Sequence, residues 1–364
     1  MGKPRILIFS TAYLPHVGGA EVAIKELTER LPECEFELIT ARLDARLPKI
    51  EEIGNVLVRR LGWGVPIIDK WWLAKWGGWK AYFLHREKHF DVAWSMMASW
   101  GGLAAWWFSV LSPRTPLVVT LQEGDEIAKR KFGLVALGWR LILSRARLVT
   151  VISNYLGDEA RRHGYQGEIA LIPNGVAPDF FNFEKKDHEG TVLITTSRLV
   201  EKNAVGDIIS ALKFLPPSVR LMIVGDGALR SDLENLVLRS DLGTRVKFLG
   251  HIDHADLPKY LAEADIFVRP SLSEGLGISF LEAMAGGLPV IATKVGGIPD
   301  FLHDYETGLF CKVNNPESIA EKVKELMSDQ SLREGIARNA RALVREKFTW
   351  EKVANQMHDV FTKV

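Results

Sequence analysis

The chain predicts an α/β fold of two Rossmann-like domains, and three observations carry that reading. Short apolar runs alternate with helical stretches through most of the sequence, which implies parallel sheets covered on both faces. A Pro/Gly/Asp/Asn-rich segment at residues 172–190, IPNGVAPDFFNFEKKDHEG, interrupts the alternation near mid-chain and reads as an interdomain linker. Residues 266–299, IFVRPSLSEGLGISFLEAMAGGLPVIATKVGGIP, form a strand–loop–helix–strand unit. Its loop falls at the carboxyl end of a parallel strand, where ligands of open α/β sheets bind.

In the first domain RILIFS is the opening strand, and EVAIKELTERL follows as a helix with Val22, Leu27 and Leu31 as its apolar positions. FELITAR and VLVRRLG are strands, residues 70–88 are helical, and DVAWSM, PLVVTL, ARLVTVIS and EIALIP are further strands with helical patterns between them. Residues 92–113 contain no charge over 22 positions, a length that raises the question of a membrane span. Ser95, Ser99, Gly101, Gly102, Ser109 and Ser112 argue against one, and the segment divides into a buried strand and the helix GGLAAWWFSVL. The alternation restarts at TVLITTS and runs through VRLMIVG, RVKFLG and IFVRP to PVIAT. Three helical stretches close the chain: PESIAEKVKELM, SLREGIARNARALVREKF and TWEKVANQMHDVF.

Composition narrows the class. A chain of 364 residues has room for two domains, each with its own core. Apolar content of 47% and charged content of 25% are those of a soluble globular protein. Residues 1–175 carry 23 Lys+Arg against 18 Asp+Glu and the remainder 23 against 27, a polarity too mild for a nucleic-acid binder. Two cysteines, Cys34 and Cys311, make no disulfide framework and have no metal-ligand spacing around them, which points to a reducing cytoplasm. The opening MGKPRILIFS runs straight into a strand and shows no signal-peptide pattern.

The 266–299 unit holds Glu274 in its loop and Glu282 about one turn into its helix. Gly275 and Gly277 bracket the loop, where a missing Cβ lets backbone N–H groups approach a ligand. The helix N-terminus behind them favours an anion. Donors for a phosphate beside acceptors for hydroxyl groups suit a nucleotide sugar better than a bare nucleotide. The loop after the first strand, TAYLPHVGGAE, ends in Gly18-Gly19 at a helix start, which either cradles a phosphate or sugar or is an ordinary turn. It lacks the G-x-G-x-x-G of dinucleotide enzymes. In TTSRLVEKNA, Arg198 and Lys202 lie just past a strand, where two cations neutralise a diphosphate; a solvated surface pair is the bland alternative. Gly225 and Gly227 in IVGDGALRSDLE let the chain turn tightly near the nucleotide, with Asp226 as a capping or turn residue. In LQEGDE, Gln122, Glu123 and Asp125 are candidates for acceptor contacts or a base, Asp125 equally fitting a turn.

Ten of the eleven tryptophans lie between Trp63 and Trp139, with the basic stretch KRKFGLVALGWRLILSRAR among them. Trp with Lys/Arg on one domain indicates a surface for anionic lipid, while core filling and sugar stacking compete as explanations.

Glu274-GLGISFL-Glu282 resembles the E-x7-E motif of retaining GT-B glycosyltransferases of the family-4 type. The segments PHVGGAE, VISNYL, IPNGV, SRLVEKN, IVGDGALR, FLGHI and GGIPD follow in that family's order, so the resemblance covers nearly the whole chain and is strongest over residues 169–312. It implies a GT-B fold: two Rossmann-like domains, 1–177 and 178–348, facing across a cleft, with a final helix within 349–364 crossing back onto the first. It also implies a sugar moved from a UDP- or GDP-type nucleoside-diphosphate donor with retention of configuration, no cofactor and no essential metal. No D-x-D stands in a metal-binding context. By motif match Arg198 and Lys202 resemble the diphosphate-binding pair, Glu282 the ribose-binding glutamate, and Glu274 the one beside the donor sugar. The stretch Gly275, Leu276, Gly277, Ile278 and Ser279 then meets donor sugar and phosphate, with Gly225 nearby and Gly18-Gly19 closing over them. His16, Gln122 and Asp125 become donor-sugar or acceptor contacts. At the position of Gln122 many relatives carry a His; Gln hydrogen-bonds but carries no proton at neutral pH, so it is assigned no acid–base role.

Retention by double displacement needs a carboxylate nucleophile, and nothing in the sequence fixes one under an anomeric carbon. The resemblance favours a front-face route in which the leaving phosphate helps deprotonate the acceptor hydroxyl. Glu274→Ala or Lys202→Ala is then expected to abolish transfer with the fold intact. The acceptor is expected to be a glycan or, by the Trp-rich first domain, a lipid-linked hydroxyl, at the inner face of the cell membrane. The rival readings are a nucleotide-sugar 2-epimerase, which needs no acceptor, and a non-catalytic sugar- or lipid-binding protein on the same scaffold.

Overall fold

The apolar runs of the first half become the strands β1 Arg5–Phe9, β2 Glu35–Ala41, β3 Ile50–Ile53, β4 Val56–Leu61, β5 Val92–Met96, β6 Leu117–Leu121, β7 Leu148–Val151 and β8 Glu168–Leu171. The computed structural model describes residues 2–122, 133–182, 186 and 188–364. It divides into two units, Met1–Gly175 with Trp350–Val364, and Val176–Thr349.

In the first unit the strands form one sheet in the order β3-β4-β2-β1-β5-β6-β7-β8. β5, β6 and β7 are buried along their whole length, which is why they read as continuous apolar runs and not as alternating ones. Every pairing is parallel except β3 with β4, joined by the two-residue turn Gly54-Asn55. The charged IEEI of β3 hides this edge strand from an apolar count, and the Gly-Asn dipeptide is the signal that gives it away. The helix Gly19–Glu29 buries Ala20, Ala23, Ile24 and Leu27. Val22, expected on that face, is half-buried, because a 3.6-residue period starting at Ala20 passes it by. The helix Trp350–Lys363 packs in this unit, with the Phe361 ring 5.3 Å from Trp94 and Arg30 Nε 3.2 Å from Glu351 Oε1.

The second unit contains β9 Thr191–Thr196, β10 Val219–Val224, β11 Val246–Gly250, β12 Ile266–Arg269, β13 Val290–Thr293 and β14 Leu309–Cys311. All pairings are parallel, in the order β11-β10-β9-β12-β13-β14. Counted from β9 this is 3-2-1-4-5-6, the Rossmann order, with its reversal between β9 and β12. Leu193, Leu221, Ile223, Val268 and Ile291 anchor the core beneath the helices Val205–Ala211 and Pro316–Ser328. The segment expected as a linker is in part built in: Val176, Phe180 and Phe181 are buried, and the Val176 N–H bonds to Phe348 O at 2.7 Å.

Both cysteines are free and buried, and burial pushes the thiols up, Cys34 to about 11 and Cys311 to about 12. Since the thiolate is the reactive form, neither should react with Ellman's reagent in native protein at pH 8, and both should react in urea. Rapid labelling of the native chain would contradict this burial.

Candidate functional site

The reversal between β9 and β12 sets two loops beside each other, and Leu272 N–H donates to Lys202 O at 2.7 Å to join them. Arg269, the last residue of β12, is buried. Its Nη1 donates to Ser279 Oγ at 2.7 Å, and its Nη2 to Asn203 Oδ1 at 2.9 Å and Glu274 Oε2 at 2.5 Å. The guanidinium also sits 5.2 Å from the centre of the Phe280 ring. Buried Asn203 passes the connection on, its Nδ2 donating to Arg198 O at 2.6 Å. One buried cation thus ties together the Arg198–Lys202 loop, the Glu274 loop and the first turn of the helix Ile278–Ala285.

Glu274 is held at three atoms. Oε2 accepts from Arg269, Oε1 from the Gly275 N–H at 3.1 Å, and its carbonyl from the Gly297 N–H at 3.1 Å. The neighbouring Gly296, at φ +56°, is required there, because a Cβ would lie 1.8 Å from that carbonyl oxygen. Glu274 is therefore a paired, buried carboxylate, where the sequence suggested an open acceptor. It retains lone pairs for a further hydrogen bond. Glu282, buried on the helix Ile278–Ala285, has a separate partner: His254 Nε2 lies 2.6 Å from its Oε1, and the His254 ring stands 5.0 Å from Phe180. Sequence reasoning gave no role to Arg269, Asn203 or His254. For Arg269 a signal existed, a lone charge closing the apolar run IFVRP; for His254 there was none.

Arg198 is exposed and Lys202 half-buried, both on the loop that Asn203 anchors. Ile278 and Ser279 open their helix, so their N–H groups have no partner within it. Leu276 is buried in the same loop. Gly225 has a packing duty: at φ +129°, its Cβ would fall 2.0 Å from Ser197 O. The β10 loop passes beneath the Ser197–Leu199 backbone, where Leu199 N–H donates to Asp226 O at 2.9 Å. Asp226 is a turn residue, its carboxyl held below the usual range by the Gly227 N–H and by Arg230.

In the first unit, His16 and Gly18 are exposed in the loop after β1, Gly18 is the N-cap, and exposed Gly19 opens the helix Gly19–Glu29. Buried Arg60 reaches from β4 to hold that loop, donating to Leu14 O at 2.6 Å and pairing with Glu51. Thr11 Oγ1 and Ser99 Oγ, 2.8 Å apart, link it to the loop after β5. Gln122 Nε2 donates to Asn174 Oδ1 at 3.0 Å, joining the ends of β6 and β8. Glu123 and Asp125 lie outside the described residues.

Comparison with known proteins adds the family. The model "Glycosyl transferases group 1" matches residues 177–343, and "Glycosyltransferase Family 4" matches residues 17–180. An uncharacterized glycosyltransferase of Methanocaldococcus jannaschii is 25% identical over 98% of each chain. A GDP-mannose-dependent alpha-(1-6)-phosphatidylinositol monomannoside mannosyltransferase of Mycobacterium tuberculosis is 29% identical, over 71% of this chain and 74% of that one. The crystal structure of Anabaena HepE in complex with UDP and glucose superposes with a TM-score of 0.80 at 20% identity, covering 99% of this chain and 100% of that one. Two glycosyltransferase family models laid end to end over residues 17–343, on two Rossmann sheets of matching fold, place this chain in the GT-B glycosyltransferases of the family-4 type.

Proposed function

We propose that the chain is a retaining hexosyltransferase that moves a sugar from a UDP- or GDP-type nucleotide sugar to a hydroxyl of a glycan or lipid-linked acceptor, without an essential metal. The observation that carries the reading is the buried Arg269, which locks Glu274 to the loop presenting Arg198 and Lys202. A diphosphate leaving group gains charge as the glycosidic bond breaks. Two cations on a fixed loop and the N–H groups opening the Ile278–Ala285 helix stabilise that charge with no reorganisation at the moment of reaction. In the front-face route the departing phosphate takes the acceptor proton, so no carboxylate nucleophile is called for. Glu282 is assigned to the ribose and the Gly275–Ser279 backbone to sugar and phosphate. In the first unit His16, Gly18, Gly19 and Gln122 are assigned to sugar or acceptor. The UDP and glucose named for HepE and the GDP-mannose named for the mycobacterial relative support a nucleotide-sugar donor. The phosphatidylinositol monomannoside in the latter name supports a lipid-linked acceptor.

A melting panel with UDP, GDP, ADP and their sugars, with and without EDTA, tests the donor half. A ligand at 100 times its Kd stabilises by about 2.7 kcal/mol, so one diphosphate class should raise Tm by several degrees and EDTA should not reverse it. Proton NMR of the product should then show the anomeric configuration of the donor. An inverted product would end the retaining assignment. Conversion of the nucleotide sugar alone to its 2-epimer would replace the transferase with an epimerase, and the absence of any Tm shift would favour a binding protein.

A further inference from the structure

The helix Pro66–Lys88 is turned inside out. At 3.6 residues per turn, Leu73, Ala74, Gly77, Gly78, Ala81 and Leu84 form one face, and all six are buried. The helix Trp100–Leu111 approaches this face so closely that a Cβ on Gly78 would lie 2.5 Å from Trp107 Cβ. The opposite face carries Trp72, Trp76, Trp79 and Phe83, between 37% and 56% exposed, while Ile67 and Trp71 are exposed at the N-terminal end of the helix. A surface helix ordinarily points its large apolar residues inward and its charges outward; here the small residues are inside and the indoles outside. Three of the indoles form a chain, with Trp63 4.6 Å from Trp72 and Trp72 5.7 Å from Trp76, and Trp71 lies 4.6 Å from Trp100 of the neighbouring helix.

Charge on the same helix is mainly positive where it meets solvent, with Glu87 in the last turn as its one exposed acid. Lys75, Lys80 and Arg86 are exposed. The only acid between residues 66 and 86 is Asp69, which is buried and accepts the N–H groups of Trp63, Gly64 and Val65 at 2.6–3.1 Å. Lys75 Nζ lies 5.2 Å from the Trp76 ring. An aromatic face bordered by three exposed cations against a single exposed acid matches few partners. No helix among the described residues is long and apolar enough to cross a membrane. A second copy docked on this face would set Lys75, Lys80 and Arg86 against themselves with Glu87 as the one exposed acid of each helix. A bilayer surface carrying anionic headgroups satisfies both features, since indoles settle at headgroup depth and lysine stems lie along apolar surface with their charge in the phosphate layer.

We propose that the Pro66–Lys88 helix lies in the plane of an anionic bilayer and seats the first unit on it, indole face down. The proposal deepens the lipid-linked acceptor reading, while vesicle binding is read independently of donor binding or turnover. The full chain is sedimented with vesicles of phosphatidylcholine alone, or with roughly a third phosphatidylglycerol. The expected result is at least tenfold tighter binding to the anionic vesicles, falling as NaCl is raised. Lys75→Ala, Lys80→Ala and Arg86→Ala together should weaken anionic binding by about 100-fold. Trp76→Ala with Trp79→Ala should weaken binding to both compositions. An unchanged Tm and an unchanged nucleotide-induced shift would show that these exposed substitutions leave the fold and donor site alone. Equal weak binding to both vesicle types, or a triple variant that binds like the parent, overturns the proposal. So does a dimer that Trp76→Ala with Trp79→Ala dissociates while vesicles are ignored. Vesicle binding without any nucleotide shift would instead remove the transferase reading and leave this one standing.

Discussion

Glu274→Ala is expected to lose transfer and to lose stability with it, by about 3–5 kcal/mol, because it strands the buried Arg269 without its counter-charge. For a unit of this size that is a fall in Tm of about 10 °C. Read from sequence alone, the same substitution should leave the fold intact; the Arg269 contact changes that half of the expectation. A double variant separates the two effects. Replacing both partners by apolar residues, Arg269→Met with Glu274→Leu, removes the stranded charge, and such replacements are often neutral. Asn203 and Ser279 lose their donor in the process, so at least half of the lost Tm should return while turnover stays below 1% (about 10²-fold) of the parent. Melting by circular dichroism and initial rates with the donor found above decide it. A Glu274→Ala chain that melts within about 2 °C of the parent would refute the structural role, and an active double variant would refute the catalytic one.

Arg198→Ala and Lys202→Ala should each lower turnover by about 10²–10³, the size of loss seen when one donor to a developing anion is removed. The stability signature differs from that of Glu274. Arg198 is exposed, and surface substitutions usually stay within about 0.5 kcal/mol, so its Tm should hardly move. Arg198→Lys should recover only part of the rate, because a lysine offers a point charge and not a bidentate fork. The comparison of kcat with the Tm shift produced by the bare diphosphate is informative here. A residue acting on leaving-group charge depresses kcat more than it depresses diphosphate binding. Turnover within threefold of the parent in Arg198→Ala would take that residue out of the mechanism.

Much of the architecture was legible because it is encoded locally. The apolar runs, the 3.6-residue patterns, and the Gly and Pro punctuation between them depend on neighbouring residues, and they located β1, β2 and the strands from β4 to β13, while the three-residue β14 was too short to register. β3 was missed because its two glutamates broke the apolar pattern, although its Gly-Asn turn was in plain view. The candidate site was legible as a set of loops: Arg198, Lys202, Glu274 and Glu282 could be placed at strand ends from sequence, and the β9–β12 reversal brings the first three onto adjoining loops.

What the sequence by itself determined, then, was two Rossmann sheets, the strand ends that bear the charged loops, and a tryptophan-rich first half. Only the tertiary structure decided how those charges are spent. Arg269 meets Asn203 from 66 positions away and His254 meets Glu282 from 28, and no local pattern encodes a pairing made by strands brought together across a sheet. It also decided which side of the Pro66–Lys88 helix is hidden. With apolar residues all around that helix there is no single stripe to read, and the choice fell to the close approach of a second helix that only Gly77 and Gly78 could admit.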